Sequence, residues 1–282
     1  MAGGFCADSE LSEVLSKLWE LDDNKCYPGE DYEIDLQGFV TSTRDCSRDF
    51  ARKSLFKWVD EDKVFSRETY RTFHDLLDNY EMDVSEAEEV TWEERKENWN
   101  FLEAIMKTEV MKEAHRFLAS KGVAPDDDDD FKKMLHDIWF KLFRRKGGRS
   151  QNSCSFEHVF VGEGRGDDFI GLHNWIQFYL QEKAGNIDYH GFFRRETVRD
   201  DEIIRLIAMQ FDWRDQKSKP LCSCFIGSSP EFEIAAYTVC LLLDRDGKID
   251  CKIGEYEVEL TVHSFGWNRK LGSAFMSASR LH

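Results

Sequence analysis

The chain has 282 residues, 41% of them apolar and 33% charged, with a formal net charge of −17. That is enough for one large domain or two packed lobes around a buried core. No stretch approaches the roughly eighteen consecutive apolar residues of a membrane span. The acidity argues against a partner held mainly through phosphate charges, but it is unevenly spread. Residues 1–140 carry 18 basic and 35 acidic side chains, residues 141–220 carry 14 and 12, and residues 221–282 carry 6 and 8. Met1–Asp8 lacks the basic flank and apolar run of a signal peptide, so an intracellular chain, cytoplasmic or nuclear, is expected. The eight cysteines include no CxxC, and Cys222-Ser-Cys224 has no second pair nearby, so free thiols are expected instead of disulfides or a zinc site.

In chain order, residues 1–8 read as a tail and residues 9–146 as helical. Leu11, Val14, Leu15, Leu18 and Trp19 keep helical spacing, and similar stripes run through Phe73–Leu77, Phe101–Met111 and Phe131–Phe143. Pro28-Gly29 and Pro125 mark breaks. The five aspartates Asp126–Asp130 read as a solvated loop that favours the next helix N-terminus, in preference to a calcium site. Arg144-Arg-Lys-Gly-Gly-Arg149 looks like a hinge before residues 147–282. There the pattern is mixed. Phe156–Val161 is a short apolar run that reads as a strand, glycines 162, 164, 166 and 171 break the chain, and a helix is expected from His173 to about Glu182. Ile203–Phe211 reads as a strand. Phe225–Glu231 reads as a strand, a turn and a helix start, with Ser229 as N-cap and Pro230 at the first helical position. Tyr237–Leu243 continues that helix, and strands around Tyr256–His263 and Gly272–Met276 close the chain. The fold class expected is α+β.

Several chemical motifs fail on inspection. Asp244–Glu255 mimics a calcium-binding loop, but Lys248 and Ile249 stand where such a loop has a ligand and a glycine, so a polar turn is expected. Gly162-Glu-Gly-Arg-Gly166 lacks the lysine and hydroxyl residue of a phosphate loop. Ser228 and Ser229 have no nucleophile-elbow context. His115 and His136 sit in helical stripes and read as structural. His158 and His173 remain, fifteen residues apart across a glycine-rich turn. Imidazole titrates near neutrality and can give or take a proton. Lys219 is the best candidate for a fixed positive charge beside them. Two imidazoles and a lysine are what cleavage of RNA by its own 2′-hydroxyl requires.

The runs Leu76–Met82, Phe156–Glu163, Gly171–Leu180 and Phe225–Glu233 closely resemble the animal EndoU family of poly(U)-specific endoribonucleases, over nearly the whole chain from about Ser9, as one EndoU domain over residues 9–282. The coronavirus uridylate-specific endoribonuclease is a more distant relative of its catalytic part. The resemblance implies a helical N-terminal lobe packed on a catalytic lobe of antiparallel β-sheets with helices. It implies cleavage of single-stranded RNA at uridines, leaving a 2′,3′-cyclic phosphate and a 5′-hydroxyl. The catalytic trio carries over onto His158, His173 and Lys219, and Glu157 and Glu163 match flanking acidic residues.

Activity of animal members depends on manganese or is stimulated by calcium. The sequence carries no metal-site signature beyond Glu157 and Glu163 as weak candidates. A histidine near a helix N-terminus is disfavoured in its charged form, which favours His173 as base and His158 as acid. In a strand, however, Glu157 would point away from His158, so the assignment stays open. The family's Thr-Ala-Tyr-Pro type motif is replaced by Ser273-Ala274-Phe275-Met276. Phe275 keeps a ring for stacking and loses the hydroxyl, and Ser273 keeps a donor and acceptor. The expected partner is uridine-containing single-stranded RNA, with no DNA and no membrane, engaged by a monomer. The contrasting expectation is a catalytically weak module of the same fold that binds RNA or protein. A metal-dependent phosphoesterase is poorer, because no Asp/Glu/His cluster with ligand spacing is present.

Overall fold

The computed structural model of the chain describes residues 5–42, 46, 48–80, 90–144, 151–165, 168–197, 203–214, 217–265 and 270–278. Helix α1 (Ser9–Glu20) starts where the Asp8 carboxylate accepts the Leu11 amide at 3.0 Å, and it buries the predicted stripe Leu11, Val14, Leu15 and Leu18. Strands β1 (Tyr32–Ile34) and β2 (Phe56–Val59) then pair antiparallel. They are too short to show alternation in sequence, and the helical reading of this half missed them. Helices α2 (Glu61–Val64), α3 (Glu68–His74), α4 (Trp92–Met106), α5 (Glu109–Ser120) and α6 (Asp128–Trp139) follow. The stripe Phe101–Met111 is split between α4 and α5, because Thr108 caps α5 through the Met111 amide. Asp127 caps α6 and Asp128–Asp130 fill its first turn, where negative charge is favoured. The aspartate run is therefore a helix start.

The second half is built on two sheets. Strands β3 (Glu163–Arg165), β4 (Asp168–Ile170), β5 (Ile187–Thr197), β6 (Ile204–Trp213) and β7 (Lys217–Phe225) form one sheet in the order β3-β4-β7-β6-β5. Its pairs are antiparallel except for a single parallel bridge, Asp168 with Ser218. Strands β8 (Gly247–Ile253), β9 (Tyr256–Phe265) and β10 (Lys270–Ala278) form an antiparallel meander. The calcium-loop mimic thus runs into β8, which the sequence reading did not foresee, and β5 was also missed. Helix α7 is Trp175–Lys183, and α8 is Pro230–Leu242, capped by Ser229. Residues 230–241 are all buried, so α8 has no polar face to mark its period.

One apolar core runs from Leu11 to Ala278 and joins both halves. Phe156 is its pivot, with ring contacts to Phe73 and Phe101 of the helical half and to Phe140 and Phe160. Helix α1 packs on β8, and α5 packs on α8. The expected lobe boundary at residues 146–147, and all of the expected hinge Arg144–Arg149 except Arg144, lie outside the described residues. All eight cysteines are free. Among the described residues no helix is long and apolar enough to cross a membrane.

Candidate active site

His158 does not lie on a strand. Ser155 and Phe156 are helical, and Glu157–Val161 form a turn of π-helix closed by the Gly162 amide donating to the Glu157 carbonyl at 2.9 Å. All five π-helical residues are buried, which gives the run a strand-like apolar look without a helical period. π-Helical turns recur at functional sites. The chain then reverses through β3 and β4, and Gly171 returns it to the π-helix. The Leu172 amide donates to the His158 carbonyl at 3.1 Å, and the His173 amide donates to the Val159 carbonyl at 2.8 Å. Gly171 has φ +72°, and a Cβ there would collide with the His158 carbonyl. Leu172, with φ 56°, also adopts the left-handed region that non-glycine residues rarely occupy. The two histidine segments are therefore locked to one another through backbone contacts.

His173 sits just before Asn174, whose side chain accepts the Ile176 and Gln177 amides and caps α7. The helix begins two residues later than the sequence suggested, and His173 is held at its entrance. Lys219 arrives from β7. Register shifts between Met209 and Phe211, so that Pro220 and Leu221 both lie opposite Gln210. This bulge accommodates a proline inside a strand. It also brings Lys219 and Cys222, partners of Phe211 and Met209, onto the same sheet face. Lys219 Nζ donates to the Gly171 carbonyl at 2.7 Å, and Cys222 Sγ donates to the Leu172 carbonyl at 3.0 Å. Imidazole, imidazole and ammonium thus converge around one turn, and each is more than nine-tenths buried.

The two imidazoles have different surroundings. His158 Nδ1 lies 2.6 Å from Oε2 of Glu163, a carboxylate with no exposed surface. As a donor, Nδ1–H makes a charge-assisted bond there that favours imidazolium. His173 Nδ1 lies 3.2 Å from the Ser223 carbonyl, which can only accept. Nδ1 therefore carries the proton and Nε2 is the acceptor. Burial first, and the nearby Lys219 and His158 charges, hold His173 below the ordinary imidazole value, against a hydrogen bond with Cys222. Burial likewise pulls Lys219 down.

Glu157 is not across a strand from His158 but one residue before it on the π-helix. Its carboxylate is buried and accepts from the Cys154 amide at 3.4 Å. Glu163 instead faces His158. No group of three His, Cys, Asp or Glu able to hold a metal occurs among the described residues.

Beside His173 opens a cavity of about 480 Å³. Phe275 of β10 lines it and stacks on the His173 ring, centroids 4.5 Å apart and planes at 19°. Ser273 is on the same face of β10 by alternation but does not line the cavity. The other walls include Ser223 and Leu221 of β7, and Phe39–Thr41 from the N-terminal half. Sequence reasoning missed these. The bulge puts Ser223 on the opposite sheet face from Lys219 and Cys222, so counting from Lys219 does not find these walls. Nothing around Phe39 signals proximity.

Paired imidazoles in contrasting surroundings, a buried lysine and an adjoining cavity are the groups that a general acid–base nuclease uses. Residues 10–276 match the family model of Endoribonuclease XendoU, and the chain belongs to that family. It is 47% identical to poly(U)-specific endoribonuclease-A of Xenopus laevis over 273 residues, 94% of this chain and 92% of that protein. It is 44% identical to uridylate-specific endoribonuclease B of Danio rerio, covering 95% of each. The solved structure of XendoU, described as a splicing-independent snoRNA-processing endoribonuclease, superposes with a TM-score of 0.83 at 45% identity, over 96% of this chain and 98% of that one.

Proposed function

We propose that this protein cuts single-stranded RNA on the 3′ side of uridines by attack of the uridine 2′-hydroxyl on the adjacent phosphorus. The products are a 2′,3′-cyclic phosphate and a 5′-hydroxyl. The observation that carries the proposal is the contrast between the histidines: one bonded to a buried carboxylate, the other buried and bonded to a carbonyl. Nε2 of His173 takes the 2′-hydroxyl proton. His158, charged through Glu163, gives a proton to the leaving 5′-oxygen. Lys219 opposes the charge that builds on the phosphorane oxygens, in a site where burial strengthens that attraction. The uracil ring occupies the cavity against Phe275, where loss of the tyrosine hydroxyl removes one polar contact.

Manganese or calcium, where either supports activity, would act away from the reacting phosphate. Glu157 and Glu163 have other partners, and no step above passes through a cation. The test is digestion of an oligonucleotide with a single uridine, in EDTA, manganese or calcium, with product ends identified by mass spectrometry. A cyclic phosphate at the uridine is expected from the native chain, and none from His173→Ala, which should still bind the RNA. Intact RNA under every condition, from folded protein, would favour a binding module of the same fold.

A further inference from the structure

The cavity beside His173 is larger than one pyrimidine ring fills, and its outer lip belongs to a part of the chain remote from the histidines. Val40 N donates to the Phe192 carbonyl at 2.8 Å, and Phe192 N donates to the Gly38 carbonyl at 3.1 Å. These bonds lay residues 38–40 along the free edge of β5. Val40 is further anchored in a small apolar cluster with Phe193, Ala208 and Phe50. The backbone of Phe39 is therefore fixed on both sides. Its ring nevertheless stands 55% exposed, held edge-on by Phe192 with centroids 5.6 Å apart. Leu221, at the β7 bulge, lines the same cavity and is 49% exposed.

Large exposed apolar side chains are few among the described residues, and two of them line this one cavity with His173 and Phe275. A pinned backbone presenting an exposed aromatic face is a poor way to build a core and a good way to receive a flat ring. The lip lies on the His173 side of the site, and His158 does not line the cavity. On the proposed mechanism the leaving nucleotide sits at His158. The base that reaches the lip is therefore on the other side of the uridine.

We propose that Phe39, with Leu221 in the same cavity, is the stacking platform for the base immediately 5′ of the cleaved uridine, so that the N-terminal half sets affinity for RNA longer than a dinucleotide. The inference rests on the endoribonuclease reading above. Stacking of this kind tolerates any base, since every base offers a flat face.

The test compares Phe39→Ala and Phe39→Trp with the native chain on UpA and on ApUpA. Loss of one base–aromatic stack predicts that Phe39→Ala raises KM for ApUpA by roughly 5- to 150-fold, with little change in kcat and little change on UpA. Phe39→Trp should restore KM, and all three proteins should melt alike. Equal damage on UpA would place Phe39 in the uridine pocket itself and overturn the proposal, as would no effect on either substrate. Failure of the native chain to cleave either substrate would instead refute the endoribonuclease reading, and the two failures are thus distinct.

Discussion

Replacing Glu163 by Gln leaves the shape of the site nearly unchanged and removes the charge that faces His158 at 2.6 Å. A hydrogen bond to a charged group contributes about 1.5–3 kcal/mol, and one pH unit corresponds to about 1.36 kcal/mol. The imidazolium of His158 would be less favoured, by at most that hydrogen-bond energy. The sign follows from the role. As the acid, His158 must be protonated, so its loss of proton affinity moves the alkaline limb of the kcat/KM profile to lower pH. His173, bonded to the Ser223 carbonyl and lowered chiefly by burial, still governs the acid limb, which should lie below the ordinary imidazole range. The assay is a pH–rate profile on a fluorogenic oligonucleotide with one uridine, for the native chain and Glu163→Gln. An alkaline limb shifted down with a nearly stationary acid limb is expected. A shift of the acid limb alone would exchange the roles of the two histidines, and an unchanged profile would remove the Glu163 pair from the mechanism.

Other expectations follow from the same geometry. Gly171→Ala adds a Cβ that meets the His158 carbonyl at a left-handed φ; cleavage should fall more than tenfold while circular dichroism stays near native. Phe156→Ala empties the ring cluster joining the two halves and should cost about 3–5 kcal/mol in denaturant unfolding. Burial chiefly, with the Glu231 charge, raises Asp22 to about 7. Because the folded state then holds the proton more tightly than the unfolded one, its contribution is full below about pH 4 and is lost as pH rises through 7. Asp22→Asn should flatten that decline, measured by urea unfolding at pH 5 and pH 8. Binding of a 2′-deoxyuridine oligonucleotide should depend shallowly on salt, since Lys219 and the Glu259-paired Lys248 are the lysines at the site among the described residues. A log–log slope steeper than about −2 would require phosphate contacts beyond these two.

What the sequence made legible was what a local signal encodes. Asp127, Ser229 and Pro230 announce helix starts through side-chain and ring chemistry that acts within three residues. The stripe of α1 shows because one face is wet and the other dry. Where both faces are dry the signal disappears: Glu157–Val161 is buried on every side, and a π-helix was read as a strand. On a strand Glu157 would point away from His158, whereas on the π-helix its carboxylate turns back to the Cys154 amide. Long-range contacts were illegible for a different reason. Glu163 reaches His158 across only five positions and was suspected, whereas Phe39 reaches the cavity through pairing with Phe192, about 150 residues away.

The acidity of the chain looks contrary to an RNA substrate only if binding is taken to be electrostatic. Some acidic side chains of the helical half are paired with near neighbours, as in Glu113 with Arg116, Asp130 with Lys133 and Asp137 with Lys141, although 35 acidic against 18 basic side chains leave residues 1–140 strongly negative. Such exposed pairs do little for stability but cancel local field. At the site the balance differs. Lys219 is buried against a carbonyl, and the adjoining cavity presents Phe39, Leu221 and Phe275. On the proposed reading, stacking would bring in the bases without drawing on the backbone charge, and the buried Lys219 would serve the phosphate that reacts. A site of this kind discriminates single strands, because only unpaired bases can leave their own stack for a protein ring.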